Sequence, residues 1–175
     1  MLNVLRRASR KSKLVKALYA DLVAQARQPV FFREYGVADT IDGRFDMVAL
    51  HAWLAYGRLH AAGLDDVSQD LTNTIFVSFD AALRDLGAGD MGMGPRMKKL
   101  GDAFNGRMQA YEGAADAEAL AAAILRNVYR GQAGHEAAAM GLARYALAAR
   151  SHLTQCDPAA GTLDFGPIAT TFDTP

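Results

Sequence analysis

The chain lacks cysteine pairs, long apolar runs and a secretory signal, and each of these absences excludes a class of protein. Its 175 residues include a single cysteine, Cys156, so no disulfide can close within the chain and no cysteine pair is available for a metal or redox site. The longest uncharged run in a predicted helix, residues 47–57, falls far short of the roughly 20 apolar residues that span a membrane. The basic N-terminus is not followed by an apolar segment, which argues against a secretory signal. These absences favour a protein of the cytosol or of the cytosolic surface of a membrane.

Known catalytic and nucleotide-binding patterns are also missing. The sequence contains no GxSxG, no Walker loop and no GxGxxG. Cys156 precedes Asp157 and Pro158 in a predicted tail, where nothing would form an oxyanion hole. We therefore predict no catalytic residue, no cofactor and no metal site.

The four histidines do not suggest a shared site. His51 and His60 are nine positions apart on one predicted helix, which places them on opposite sides of its axis, so they cannot bind one metal ion. His60 falls on the apolar side and is predicted to be a hydrogen-bonded core residue. His51 falls beside Arg58 on the polar side and is predicted to be solvated. His135 and His152 lack a neighbour at ligand spacing.

Charge is balanced overall but not along the chain. Lys and Arg total 19, as do Asp and Glu, yet residues 1–33 carry eight basic residues against one acid, and residues 34–90 carry three against ten acids. The basic run in residues 1–13 is predicted to be an arm, which would suit RNA or anionic lipid. It has no interleaved aromatic residue for base stacking, so a simply solvated arm is an equal alternative.

Helical periodicity dominates and predicts an all-α, single-domain bundle of about six helices in residues 14–152. The element near residues 44–62 is apolar on two sides, which is typical of a helix at the centre of a bundle. Residues 72–79 would also permit a strand, but helical spacing continues through both flanks. Residues 153–175 contain three prolines and are predicted to be an irregular tail that drapes over the bundle or stays loose. The helices are predicted near residues 14–28, 44–62, 67–86, 95–111, 116–130 and 135–152, with one helical turn in the connector 30–43.

A glycine-rich loop is predicted at Gly87–Gly94, before Pro95, which suits the first position of a helix. The loop lacks the Lys-Ser/Thr pair of a phosphate-binding loop. Met91 and Met93 would be exposed in it, and methionine adapts to apolar partners of varied shape. We therefore predict a partner contact at this loop.

The helix after this loop has an apolar stripe with cations beside it. Arg96 and Arg107 fall near the edge of the stripe, within about 20° of each other, while Lys98 and Lys99 point further outward. One interpretation is that the two arginines pack their stems along the core. The other is a basic rim beside exposed apolar surface, which would fit an acidic or amphipathic partner.

Two blocks of the sequence resemble a known family. The first runs from Tyr19 to Asp46 and continues into LHAWLAYGRL, and the second runs from Phe79 to Tyr111. Together they are similar to the ubiquinol–cytochrome c chaperone family, the assembly factors of the respiratory cytochrome bc1 complex, over roughly residues 14–130. The second block is the more specific, with Gly-x-Gly-Asp, Arg-Met-Lys-Lys, Phe-x-Gly-Arg and a tyrosine four residues after that arginine. The matching residues are Pro29, Phe31, Tyr35, Gly36, Asp39, Thr40, Asp42, Gly43, Arg44 and Phe45 in the first block, and Gly89, Asp90, Arg96, Lys98, Lys99, Phe104, Gly106, Arg107 and Tyr111 in the second.

The resemblance implies an all-helical, non-enzymatic protein that binds newly made cytochrome b and stabilises it for assembly of the bc1 complex. It implies no small-molecule substrate. Mitochondrial members act with a small partner protein and associate with the ribosome. Since this chain lacks a long targeting extension, we expect a bacterial member at the cytosolic face of the inner membrane (the matrix, if eukaryotic), with peripheral contact to anionic lipid. The partner contacts are predicted at Tyr35, Asp39, Arg44, Met91, Met93, Arg96, Lys99 and Arg107.

Two other classes of function are open at this point. The basic arm would suit a ribosome- or RNA-binding adaptor. Alternatively, His51, His60 or His135 would serve a small enzyme or a haem-handling protein.

Overall fold

Helices account for nearly all of the regular structure. The computed structural model describes residues 2–85 and 90–169, and within them the side chains of residues 6–85 and 94–169. These ranges contain no strand, so the predicted all-α, single-domain bundle is confirmed and the strand alternative for residues 72–79 is wrong. The helices are α1 (Leu2–Ala26), α2 (Pro29–Arg33), α3 (Ile41–Ala61), α4 (Asp65–Asp85), α5 (Asp90–Glu112), α6 (Ala117–Asn127) and α7 (Glu136–Leu153), followed by a 3-10 turn at Pro158–Ala160.

Helix α3 forms the centre of the bundle, as its two-sided apolar pattern predicts. It packs against α1, α4, α5 and α7, and every residue from Phe45 to Ala55 is buried. Burying a leucine such as Leu50 or Leu54 stabilises the fold by about 1.5–3 kcal/mol. Asp46 and His51 are the two polar side chains in this buried run, and both need partners from other helices.

The start of α3 is set by a cap and by a close approach of the chain. Thr40 Oγ1 accepts a hydrogen bond from Gly43 N–H at 3.2 Å, which satisfies one of the free donors of the first turn. The carbonyl of Ala38 occupies the space that a Cβ at Gly43 would need. Asp42 and Gly43 lie in the first turn of α3, and Asp42 and Phe45 line a groove together with residues of α5.

The basic N-terminal segment is part of a helix. Because α1 begins at Leu2 and continues to Ala26, the predicted helix start at residue 14 is wrong. Residues 6–10 are exposed, and Lys11 pairs with Asp66 and Asp70 of α4 at 2.9 and 2.8 Å. The predicted arm is therefore an exposed basic extension of α1.

Helix α5 begins earlier than its proline suggests. Residues 90–94 belong to the helix, so the predicted loop is wrong for them, while residues 86–89 lie outside the described ranges. The first four N–H groups of a helix have no intrahelical acceptor, so Pro95, the sixth residue, costs α5 only one backbone hydrogen bond. Met91 and Met93 lie in the first turn of α5, and their side chains are outside the described part.

The C-terminal tail drapes over the bundle as far as residue 169. Leu163 and Phe165 are buried. Asp21 of α1 accepts a hydrogen bond from Leu163 N–H at 2.9 Å, and the Tyr35 hydroxyl donates to the carbonyl of Ala169 at 2.9 Å. Of the two outcomes predicted for the tail, the draped one is confirmed for the described residues.

No helix within the described ranges has both the length and the apolar content of a bilayer span.

Candidate functional site

An open groove of about 540 Å³ lies between the start of α3, the C-terminal half of α4 and α5. Its floor is apolar: Phe45 and Phe79 meet edge to face with ring centroids 5.3 Å apart, and Leu83 and Leu100 flank them. The Phe79, Leu83 and Leu100 side chains are only partly buried. Apolar side chains and cations meet in this groove, and its lining residues are Ile41, Asp42, Phe45, Phe79, Leu83, Arg96, Lys99, Leu100, Ala103, Arg107 and Arg130.

Helix α5 supplies one long wall of the groove. Arg96, Lys99, Ala103 and Arg107 recur at three- or four-residue intervals, which places them on one face of the helix. At 1.5 Å per residue, the stretch from Arg96 to Arg107 spans about 16 Å. The groove therefore has the length of about three turns of a helix.

The mouth of the groove carries cations without acidic partners. Arg96 and Lys99 are exposed, and neither forms an ion pair with any described residue. Their neighbour Lys98 differs, since it approaches Asp102 at 3.5 Å on the outer side of α5. The structure thus agrees with the predicted basic rim beside partly exposed apolar surface at Arg96 and Lys99.

Arg107 does not belong to that exposed rim; the alternative interpretation, in which its stem packs along the core, is the one that the structure supports. It is 8% exposed, and its Nε donates to Asp46 Oδ1 at 2.8 Å while Nη1 donates to the carbonyl of Ala103 at 2.9 Å. Its guanidinium also lies 5.1 Å from the centroid of the Phe45 ring, close enough for cation–π attraction. Arg107 closes one end of the groove as a buried structural cation.

Asp46 holds a second cation on its other oxygen. Arg130 Nη1 lies 2.9 Å from Asp46 Oδ2, and Arg130 itself remains half exposed at the edge of the groove. Burial raises the pKa of the Asp46 carboxyl to about 6, and the guanidinium groups of Arg107 and Arg130 oppose that rise. At neutral pH the group is therefore mostly a carboxylate shared by two arginines.

The backbone at Arg130 is unusual. Its φ is 57°, in the left-handed region that glycine normally occupies after a helix, and Gly131 follows with φ 70°. A non-glycine residue there costs about 1 kcal/mol. Arg130 adopts this conformation at the point where its side chain reaches Asp46.

The predicted contacts in the connector lie apart from the groove. Tyr35 is buried, with its carbonyl accepting a hydrogen bond from the Tyr129 hydroxyl at 2.7 Å, and the partner contact at Tyr35 stays a prediction. Asp39 and Arg44 form an exposed ion pair at 2.7 Å, and the hydrogen bond from Arg44 lowers the pKa of Asp39. This pair lines a separate small depression beside Phe32.

The structure reverses the predicted environments of two histidines. His51 is completely buried, with Nδ1 2.8 Å from the carbonyl of Met47 and Nε2 2.8 Å from the Tyr145 hydroxyl. His60 is exposed and hydrogen-bonded to Asp65 at 2.8 Å, which raises its pKa. The error arises because α3 is apolar nearly all round, so its sequence has no polar face on which to place His51.

The histidines do not converge. His135 stacks on Tyr129, with centroids 4.8 Å apart. In the described ranges no three side chains of the His, Cys, Asp or Glu type come together as metal ligands.

Comparison with known proteins gives two matches. Residues 33–160 match the sequence profile of the family described as ubiquinol-cytochrome C chaperone. The crystal structure of the Cbp3 homolog from Brucella abortus superposes with a TM-score of 0.82 at 36% sequence identity, covering 95% of this chain and 97% of the other. A search of the curated proteins found no significant match.

Proposed function

Since the chain belongs to the ubiquinol–cytochrome c chaperone family, we propose that it binds newly made cytochrome b through the groove and protects it until the bc1 complex assembles. Assembly of that complex is the role of the family, and it calls for binding rather than catalysis. The groove between α3, α4 and α5 is the observation that carries the proposal.

The chemistry of the groove suits an unassembled membrane protein. Such a client exposes apolar helix faces before its neighbours are in place, and contiguous apolar surface in water drives association. The floor formed by Phe45, Phe79, Leu83 and Leu100 offers a matching apolar surface. The polar rim at Arg96 and Lys99 keeps the empty groove compatible with water.

The exposed part of α1 supports a location at an anionic surface. Residues 6–10 include Arg6, Arg7 and Arg10, all exposed on α1, and each basic residue near an anionic bilayer contributes about 1 kcal/mol of attraction. The proposal includes peripheral binding at the cytosolic face of the inner membrane, where cytochrome b is inserted. The same segment would serve a ribosome-binding adaptor, which is the competing function.

Loss of the chain is expected to lower the amount of assembled bc1 complex, and the groove is expected to be required for rescue. Cells lacking the chain receive the wild type, Leu100→Asp or Val77→Asp, and haem b spectra and quinol–cytochrome c reductase activity of their membranes are recorded. Leu100→Asp places a charge on the apolar floor. It is expected to leave the haem b signal and the reductase activity at the level of cells without the chain.

Val77→Asp is the matched control, because Val77 is 69% exposed on α4 and does not line the groove. Val77→Asp is expected to restore bc1 to the wild-type level. Thermal unfolding of both variants checks that they fold. Normal bc1 in cells without the chain would refute the proposal. RNA binding lost on removing residues 1–16, together with normal bc1, would favour the adaptor. Arg107 is unsuitable for such a test, since reversing its charge would disturb Asp46 and the fold.

A further inference from the structure

The two long walls of the groove differ in charge. The side from α5 presents Arg96 and Lys99 at its rim, whereas the side from α4 presents only Phe79 and Leu83, which are part of the apolar floor. The half-exposed guanidinium of Arg130 extends the cationic side toward the closed end. A segment lying in the groove therefore meets positive charge along one side and apolar surface on the other.

The net charge of the groove is positive. Four cations line it, Asp42 is the one acid in its lining, and the nearby Asp46 is already shared by two of the cations. Two cations, Arg96 and Lys99, are left without a carboxylate among the described residues. They lie three residues apart on α5, which brings their charged groups onto neighbouring turns.

We infer that the groove binds an amphipathic helix of the client that carries two carboxylates three or four residues apart beside its apolar face. This inference rests on the proposed function and specifies the client segment. The carboxylates meet Arg96 and Lys99, and the apolar face covers Phe79, Leu83 and Leu100. The length of about 16 Å along α5 accommodates about three turns of such a helix, with a further acid toward Arg130 strengthening the contact.

A nucleic acid fits the groove less well. A phosphate backbone is charged along its whole length and favours cations on a hydrated surface. One wall and the floor here are apolar, and burying a phosphate against Phe79 and Leu83 without a partner would carry a large desolvation cost. An acidic amphipathic helix places its charges on one side only, as the groove does.

Two fluorescein-labelled synthetic helical peptides test the inference with the full chain. They share one apolar face of leucine and alanine, and the polar face carries either glutamates or lysines at three- and four-residue spacing. Fluorescence anisotropy at low salt is expected to give a dissociation constant at least about tenfold lower for the acidic peptide. Raising the salt concentration is expected to shrink that difference, since exposed charges are screened.

The variant Arg96→Glu combined with Lys99→Glu is expected to remove the preference for the acidic peptide or to reverse it. Lys98→Glu changes a neighbouring cation that points away from the groove and pairs with Asp102, and it is expected to keep the preference. Equal binding of both peptides, binding of neither, or an unchanged preference in the double variant would overturn the inference.

The failure of this inference is distinguishable from failure of the proposed function. If cytochrome b still depends on the groove but neither peptide binds, the acidic helix is wrong and the chaperone function stands. If the acidic peptide binds as expected but bc1 is normal in cells without the chain, the proposed function is wrong and the groove serves another client.

Discussion

Replacing Asp46 with alanine is expected to lower the free energy of unfolding by about 3–5 kcal/mol, the cost of breaking a buried ion pair by removing one partner. Asp46 has no exposed surface and binds Arg107 on one oxygen and Arg130 on the other. Without the carboxylate, the buried guanidinium of Arg107 keeps a single hydrogen bond to the carbonyl of Ala103. Urea denaturation at pH 7.5 followed by circular dichroism measures the change.

Asp39→Ala provides the matched control for this prediction. It also removes an aspartate from an arginine ion pair, but Asp39 and Arg44 are both more than half exposed. Exposed pairs of this kind contribute about 0–1 kcal/mol. A loss for Asp46→Ala no larger than that for Asp39→Ala would show that the buried cluster does not stabilise the groove end of the bundle.

Acidification is expected to destabilise the protein through His51 by up to about 3 kcal/mol between pH 6.5 and pH 4. Burial lowers the pKa of His51 to about 4 in the folded protein, from an ordinary value of 6.5. The unfolded chain therefore takes up a proton at His51 as the pH falls through 6.5, while the folded protein does not until about pH 4. Stability from this residue is complete above pH 6.5 and is lost progressively as the pH falls.

The hydrogen bonds around His51 also favour the neutral imidazole, and they therefore predict the same loss of stability on acidification. The Nδ1–H donates to the carbonyl of Met47, and Nε2 accepts from the Tyr145 hydroxyl, which in turn accepts from Gln25 Nε2 at 3.0 Å. This chain of bonds suits the neutral imidazole. Protonation at Nε2 would set a second N–H against the Tyr145 hydroxyl and place a charge among Phe31 and Phe165.

The measurement compares the free energy of unfolding of the wild type and of His51→Gln at several pH values. Glutamine cannot titrate, so the wild-type loss on acidification is expected to exceed that of the variant, and the carboxylates, which titrate in both proteins, cancel in the difference. His60→Gln, at an exposed histidine, is expected to retain the wild-type slope. Parallel pH profiles for the wild type and His51→Gln would contradict the account.

Periodicity was sufficient to predict the bundle because it records which sides of a helix are buried. The two-sided apolar pattern of α3 correctly marked it as central. It could not orient His51, because a helix buried on every side has no polar face to serve as a reference. The start of α5 was predicted at Pro95 and is wrong for another reason. A proline is tolerated at more than one position near the start of a helix, so it does not fix the first residue.

The candidate site was predicted only where it depends on one helix. The spacing along α5 was sufficient to place Arg96 beside the apolar stripe, but it grouped Lys99 with the outward-pointing Lys98, although Lys99 lines the groove. The role of Arg107 was not predictable from that spacing, since its partner Asp46 is 61 residues away on α3. Arg130 gave no local signal either, although an acid at position 46 followed by an apolar run is the pattern of a carboxylate that needs a buried cation.

Site-specific photo-crosslinking tests most directly that the groove holds newly made cytochrome b. A benzoylphenylalanine residue is introduced at Leu100, on the groove floor, or at Val77, on the exposed surface of α4, and cells are irradiated while cytochrome b is being synthesised. Cytochrome b is expected to be crosslinked from position 100 and not from position 77. Equal crosslinking from both positions, or crosslinking from position 77 alone, would contradict the assignment of the groove as the client site.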